Sequence, residues 1–175
     1  MGSFSIRPLS LDQDVAQLHQ WLTAPRASFW GMQTCTLQQV QDTYQQQLDS
    51  RHSAPFMGLF EGRPSFLLET YDPAHDELGS QYQVQEGDVG MHFLVGPAQG
   101  APLSGFTRAV MKCIQAFLFT APANKRIVVE PDVNNQKIHP INRDAGFVYH
   151  GTVSLSYKTA ALAFCDRSTF FTLEK

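Results

Sequence analysis

Cysteine is scarce in this chain. The 175 residues hold three, Cys35, Cys113 and Cys165, far apart and outside any CxxC pair. That excludes a disulfide framework, gives a structural metal site little support and suits a reducing compartment. Basic residues are scattered and the net charge is −3, so the electrostatic footprint of a nucleic-acid or anionic-membrane binder is missing. No apolar run is long enough to cross a bilayer, and the first residues lack the basic start and apolar core of a signal peptide. No repeat, low-complexity tract or linker divides the chain. What is there, 43% hydrophobic residues with 13 phenylalanines, is enough for a packed core. The expectation is one cytoplasmic domain over residues 1–175, with no nucleic-acid, membrane or metal partner.

Hydrophobic spacing orders the elements. Residues 4–9 read as an edge strand. A helix capped by Ser10 or Asp12 follows, with Val15, Leu18, His19 and Leu22 on one face, and Pro25 ends it. Residues 24–32 (APRASFWGM) form an aromatic loop. A glutamine-rich helix over 36–49 turns Leu37, Val40, Tyr44 and Leu48 inward. The period then alternates: 55–60 and 64–71 are strands joined by Glu61-Gly62-Arg63. Residues 72–86 are a polar surface loop, 87–96 a strand, 102–120 a long helix, 126–130 a strand, 134–145 a helix and 147–157 a strand. One more strand is expected over 170–173. The sum is an α+β (mixed α/β) fold: a mixed sheet of about six to seven strands flanked by four helices, with 87–96 and 126–130 parallel neighbours.

Residues 126–130 (RIVVE) run straight from an apolar strand into Pro131-Asp132-Val133-Asn134-Asn135. That much polarity at a strand end marks the edge of a site.

Three motifs then converge on a family. A strand ending in Leu94-Val95-Gly96 with a glycine-bearing turn and long helix, and Asn135-x-x-Ile-x-x-Ile-x-x-x-Ala-Gly-Phe147, resemble the GNAT superfamily of acyl-CoA N-acyltransferases. More narrowly, Phe29-Trp30-Gly31-Met32, Gly90-Met91-His92-Phe93 and the run from Val129 to Asn135 are similar to its siderophore-biosynthesis branch. The resemblance covers nearly the whole chain. It implies transfer of an acetyl or succinyl group from acyl-CoA to an N-hydroxylated amine, N6-hydroxylysine or a hydroxylated diamine, by a monomer or homodimer.

The resemblance also distributes roles. Leu94 and Val95 offer main chain to the pantetheine. The turn with Gln99, Gly100 and Ala101, and Ser104 and Gly105 beyond it, offer N–H groups to the pyrophosphate. The same turn also reads as an ordinary strand-to-helix connection, because it lacks Arg and Lys and Pro102 removes a donor. His92 is placed beside the thioester, with Asp132 as the acid that holds its tautomer or as a helix cap. Phe29, Trp30 and Met32 wall the acceptor pocket, or pack the core. Asn134 and Asn135 orient pantetheine amides or cap the helix, and His139-Pro140 marks a kink. The family's acidic tyrosine on the last helix is replaced by Asn142. Lys125, Arg126, Lys137 and Arg143 are equal candidates for the CoA phosphates. Rival readings are an acetyltransferase for another small amine, such as an aminoglycoside or polyamine, to which the acids of 72–86 lend support, and a non-catalytic acyl-CoA-binding protein.

Overall fold

Twelve regular elements follow from these patterns in the computed structural model, which describes residues 2–173. In chain order they are β1 (Phe4–Pro8), α1 (Leu11–Leu22), α2 (Leu37–Asp49), β2 (Ser53–Phe60), β3 (Arg63–Tyr71), β4 (Asp88–Val95), α3 (Phe106–Leu118), β5 (Arg126–Val129), α4 (Ile138–Asp144), β6 (Val148–Leu155), β7 (Lys158–Asp166) and α5 (Arg167–Leu173). Short 3-10 turns lie at Pro25–Trp30, Pro73–His75 and Glu77–Ser80. The seven strands hydrogen-bond in the order β1-β2-β3-β4-β5-β7-β6. Contacts group the chain into two units, Met1–Glu69 with Phe93–Ser104, and Thr70–His92 with Gly105–Lys175.

In the first unit β1 runs antiparallel to β2, Phe4 opposite Phe60 and Pro8 opposite Phe56. Glu61 and Gly62 both take positive φ, 50° and 74°, the pair that a two-residue type I′ hairpin demands. Helix α2 opens on a capping box: Thr36 Oγ1 accepts from Gln39 N while the Gln39 side chain accepts from Thr36 N. Helix α1 opens differently. Neither expected cap is made; the buried Asp14 carboxylate instead takes Ser10 N at 2.9 Å and a bidentate Arg7 guanidinium at 2.7 Å on each oxygen. The core joins Leu9, Leu18, Trp21, Leu22, Val40, Tyr44, Met57 and Leu67. Leu37 and Leu48 of α2 stay exposed, because its buried stripe is only as wide as Val40 and Tyr44. Gly96 faces the Trp21 indole so closely that a Cβ there would lie 2.6 Å from Trp21 Cζ2.

In the second unit β4 and β5 are parallel, as expected, with Asp88 opposite Arg126 and Gly90 opposite Val128. Strand β7 lies antiparallel between β5 and β6. Asp88 is a hub: its carboxylate accepts Arg126 Nε (2.7 Å) and Nη2 (2.8 Å), Tyr82 Oη and Gln85 N (both 2.9 Å). Leu78, Val128, Leu155, Ala160 and Leu162 pack together beside it.

Four expectations need correction. Residues 170–173 are helical, because Phe170 packs its ring 5.4 Å from Phe119 instead of pairing with a strand. Strand β7 has no counterpart in the sequence pattern; its alanines carry no alternation, and pairing on both edges makes it a strand. The long helix starts at Phe106, not 102, because Gly105 takes φ 75° at its N-cap. Helix α4 begins at Ile138, so Pro140 sits unkinked in the first turn, where no N–H is required, and Asp132 and Asn134 lie too early to cap it. The helices therefore number five, not four, among the described residues.

Candidate active site

Register decides which acid meets His92. Gly90 on β4 is opposite Val128 on β5, and side chains two residues further along each strand point the same way. His92 and Glu130 therefore face each other, and the imidazole Nε2 hydrogen-bonds Glu130 Oε1. Among the described residues no further register pair joins the two strands beyond Gly90 and Val128, so their ladder stops just before this contact.

Glu130 is 2% exposed and its carboxylate collects three donors. His92 Nε2 and Lys158 Nζ (3.4 Å) both reach Oε1, and Tyr71 Oη donates to Oε2 at 2.5 Å. Burial alone would push this carboxyl up. The charge and hydrogen bond of His92, with the Lys158 charge and the Tyr71 hydroxyl, outweigh it and hold the group down at about 2. The Tyr71 phenol goes the other way: burial and then the Glu130 charge raise it well above 10, so it stays protonated and donates. The Tyr71 ring also stacks against the imidazole, centroids 5.0 Å apart, and a side chain at Gly90 would strike that ring. An ionised acceptor on Nε2 fixes the tautomer of the neutral ring: Nε2 keeps its proton and Nδ1 carries the lone pair. His92 itself is one-third exposed. The arrangement is a base with one nitrogen anchored.

Asp132 is not the partner of His92. Its Oδ1 accepts Asn134 N at 2.8 Å, and its backbone bridges to Ala160. Pro131 ends β5, and Pro131 O takes Ala161 N at 2.8 Å, so the chain bends onto β7 and carries Asp132 away. Counting by twos from the Gly90–Val128 pair finds Glu130; looking for the first acid past the strand finds Asp132. Tyr71 and Lys158 escape sequence reasoning as well, since each arrives from a strand far along the chain.

The other anticipated residues are distributed as follows. Leu94 packs on the first core, and Val95 O accepts Arg26 Nη2 at 2.9 Å. Gln99 fastens its turn by donating to Pro64 O at 2.8 Å, while Gly100 has φ 128° and open space around it. Ala101 and Ser104 are exposed, and Gly105 O accepts Ala109 N at the head of α3. Asn135 O accepts Ile138 N at 3.2 Å, leading into α4. Trp30 and Met32 pack against the first core and Phe29 is exposed. Asn142 is buried and donates to Tyr149 Oη at 2.9 Å, joining His139 Nδ1 at 2.8 Å on the same oxygen. Arg126 is committed to Asp88 and to the Phe164 ring at 4.2 Å, and Arg143 lies over Tyr149 at 5.0 Å; Lys125 and Lys137 are exposed. Of the acids of 72–86, Asp72 bonds His75 and Ala74 N, Asp76 bonds Leu78 N, Glu77 reaches across the chain to Ser156, and Glu86 is exposed.

Known proteins resemble the chain at both levels. A family model described as an acetyltransferase (GNAT) domain matches residues 10–155. An Escherichia coli protein named N(6)-hydroxylysine O-acetyltransferase is 30% identical over 91% of this chain, and the chain spans about half (50%) of its length. An Acinetobacter baumannii protein named N-hydroxyputrescine acetyltransferase is 26% identical over 97% of this chain and 80% of its own. Among solved structures, an uncharacterized protein from Bacillus halodurans superposes with a TM-score of 0.90 at 27% identity, covering 97% of this chain and 87% of that one. The aminoglycoside acetyltransferase AAC(6')-Ib in complex with coenzyme A shares the fold, with a TM-score of 0.87 at 23% identity over 99% of this chain and 100% of that one.

Proposed function

The chain belongs to the GNAT acetyltransferase family, and from that premise we propose that it transfers an acyl group from acyl-CoA, acetyl- or succinyl-, to an N-hydroxylated amine. The acceptor is a hydroxylated diamine or N6-hydroxylysine, on the way to a hydroxamate siderophore. The names borne by the E. coli and A. baumannii relatives support this substrate class. Three free thiols, none bridged, agree with the cytoplasm, where acyl-CoA is available.

The observation that carries the reading is the His92–Glu130 pair. A hydroxylamine nitrogen is far less basic than an alkylamine and is unprotonated near neutral pH, so no ammonium has to be stripped. His92 Nδ1 takes the one proton that the attacking nitrogen loses as the new N–C bond forms. The imidazolium, held by Glu130, then returns that proton to the departing CoA thiolate. The proton count closes without a tyrosine acid, which agrees with the structural employment of Asn142 and Tyr149. The Leu94-Val95 main chain and the turn through Gly100 to Gly105 are assigned to acyl-CoA. Asp72, Asp76 and Glu77 already accept hydrogen bonds from the chain itself, which weakens the support those acids lend to an aminoglycoside acceptor.

A thiol-release assay crossing acetyl- and succinyl-CoA with N-hydroxycadaverine, N6-hydroxylysine and cadaverine tests the reading. The N-hydroxylated amines react far faster at pH 7, where cadaverine is protonated, its ammonium pKa lying near the lysine value of about 10.4. The product forms a coloured ferric complex if the nitrogen, and not the oxygen, was acylated. Equal rates on cadaverine and its N-hydroxy derivative refute the assignment.

A further inference from the structure

Two nitrogen donors converge on one carboxylate oxygen: His92 Nε2 and Lys158 Nζ both reach Glu130 Oε1, while Tyr71 Oη occupies Oε2. A buried carboxylate beside a histidine, acting alone, favours the imidazolium. An imidazolium has no lone pair and cannot act as a base. Lys158 alters that balance. Its ammonium, 14% exposed at the head of β7, already neutralises Glu130, so a proton arriving on His92 adds a second positive charge beside the same oxygen.

We propose that Lys158 is a positioning residue that keeps His92 neutral and base-competent near neutral pH by cancelling the charge of Glu130. The proposal rests on the reading of His92 as the base. The titratable groups around the pair include Tyr71 of β3, Asp76 in the turn after it, Glu130 after β5, and Tyr157 and Lys158 where β7 begins. Tyr71 stays neutral, and Asp76 is occupied by Leu78 N at 2.9 Å. Among these groups Lys158 supplies the opposing cation. The turn that carries it is anchored: Ser156 donates its N (2.6 Å) and Oγ (2.8 Å) to the two oxygens of Glu77. Lys158 is therefore presented to Glu130 by a fixed backbone, with its Nζ 5.4 Å from the Tyr157 ring.

The test is an NMR pH titration of the full chain labelled with ¹⁵N-histidine, without substrate, the His92 signal being identified by its loss in His92→Gln. Lys158→Met raises the His92 midpoint by about one pH unit or more, the scale of a charge at this range. Lys158→Arg keeps the charge and titrates near the parent. The acid limb of kcat/KM moves with the midpoint, so one pH unit below the parental midpoint Lys158→Met is slower by about a further tenfold. The deficit narrows as pH rises, whereas lost packing alone lowers the rate at every pH. An unmoved His92 midpoint in folded Lys158→Met overturns the proposal; Lys158→Gln takes its place if the Met variant does not fold. A parental thiol-release rate in His92→Gln would instead overturn the base assignment, whatever the titration shows.

Discussion

Replacing Glu130 by Gln changes one oxygen to an amide nitrogen and removes one charge at nearly constant volume. Two quantities respond. The first is turnover. The amide of Glu130→Gln can donate to His92 Nε2, which moves the proton to Nδ1 and takes the lone pair away from the attacking nitrogen. Loss of a general base costs ~10²–10⁴-fold in rate, and the wrong tautomer belongs near the upper end. The second is acid stability. Glu130 has its folded pKa depressed from 4.5 to about 2, so its contribution is complete above the unfolded pKa and disappears as pH falls through the folded one. At about 1.4 kcal/mol per pH unit that interval is worth roughly 3 kcal/mol. Urea unfolding therefore shows the stability advantage of the parent over Glu130→Gln shrinking by roughly that amount between pH 6 and pH 2. Asp132→Asn is the control. Its Oδ1 only accepts Asn134 N, which an amide oxygen does as well, so turnover changes less than about threefold. If Asp132→Asn loses as much turnover as Glu130→Gln, or Glu130→Gln keeps the parental kcat, the pairing argument is refuted.

Gly96→Ala places a Cβ 2.6 Å from the Trp21 indole and costs about 1–3 kcal/mol, read as a lower Tm; an unchanged Tm removes the close-approach explanation of this glycine. Asp88→Asn breaks a pair whose carboxylate is 1% exposed and costs about 3–5 kcal/mol, while acyl-CoA affinity of the folded fraction is retained. A fall in that affinity would restore Arg126 as a phosphate ligand. Gly100→Pro demands φ near −65° where the backbone has 128°, and it weakens acyl-CoA binding in calorimetric titration. Parental affinity in that folded variant would move the cofactor away from this turn.

Where a pattern is local, the sequence alone settled the outcome. Thr36 and Gln39 are three residues apart and make the capping box by themselves; Glu61-Gly62 sits between two alternating runs and makes the hairpin. The period-2 run of β4 put His92 on a strand face, and motif order pointed to the family. Elements whose conformation depends on distant partners were not legible. Residues 158–166 are poor in side-chain signal and became a strand only because β5 and β6 supplied ladders on both sides. Residues 170–173 look like a strand, but burial of Phe170 against Phe119 favoured a helix. The site divides the same way. His92 was visible as a residue type in a motif. Its partner was decided by parallel register and by Pro131 turning the chain onto β7, and its surroundings by Tyr71 and Lys158, brought to one carboxylate from strands that chain order does not place side by side. Spacing along the chain fixes which face a side chain takes; which side chains share a buried oxygen is fixed only when the sheet closes around it.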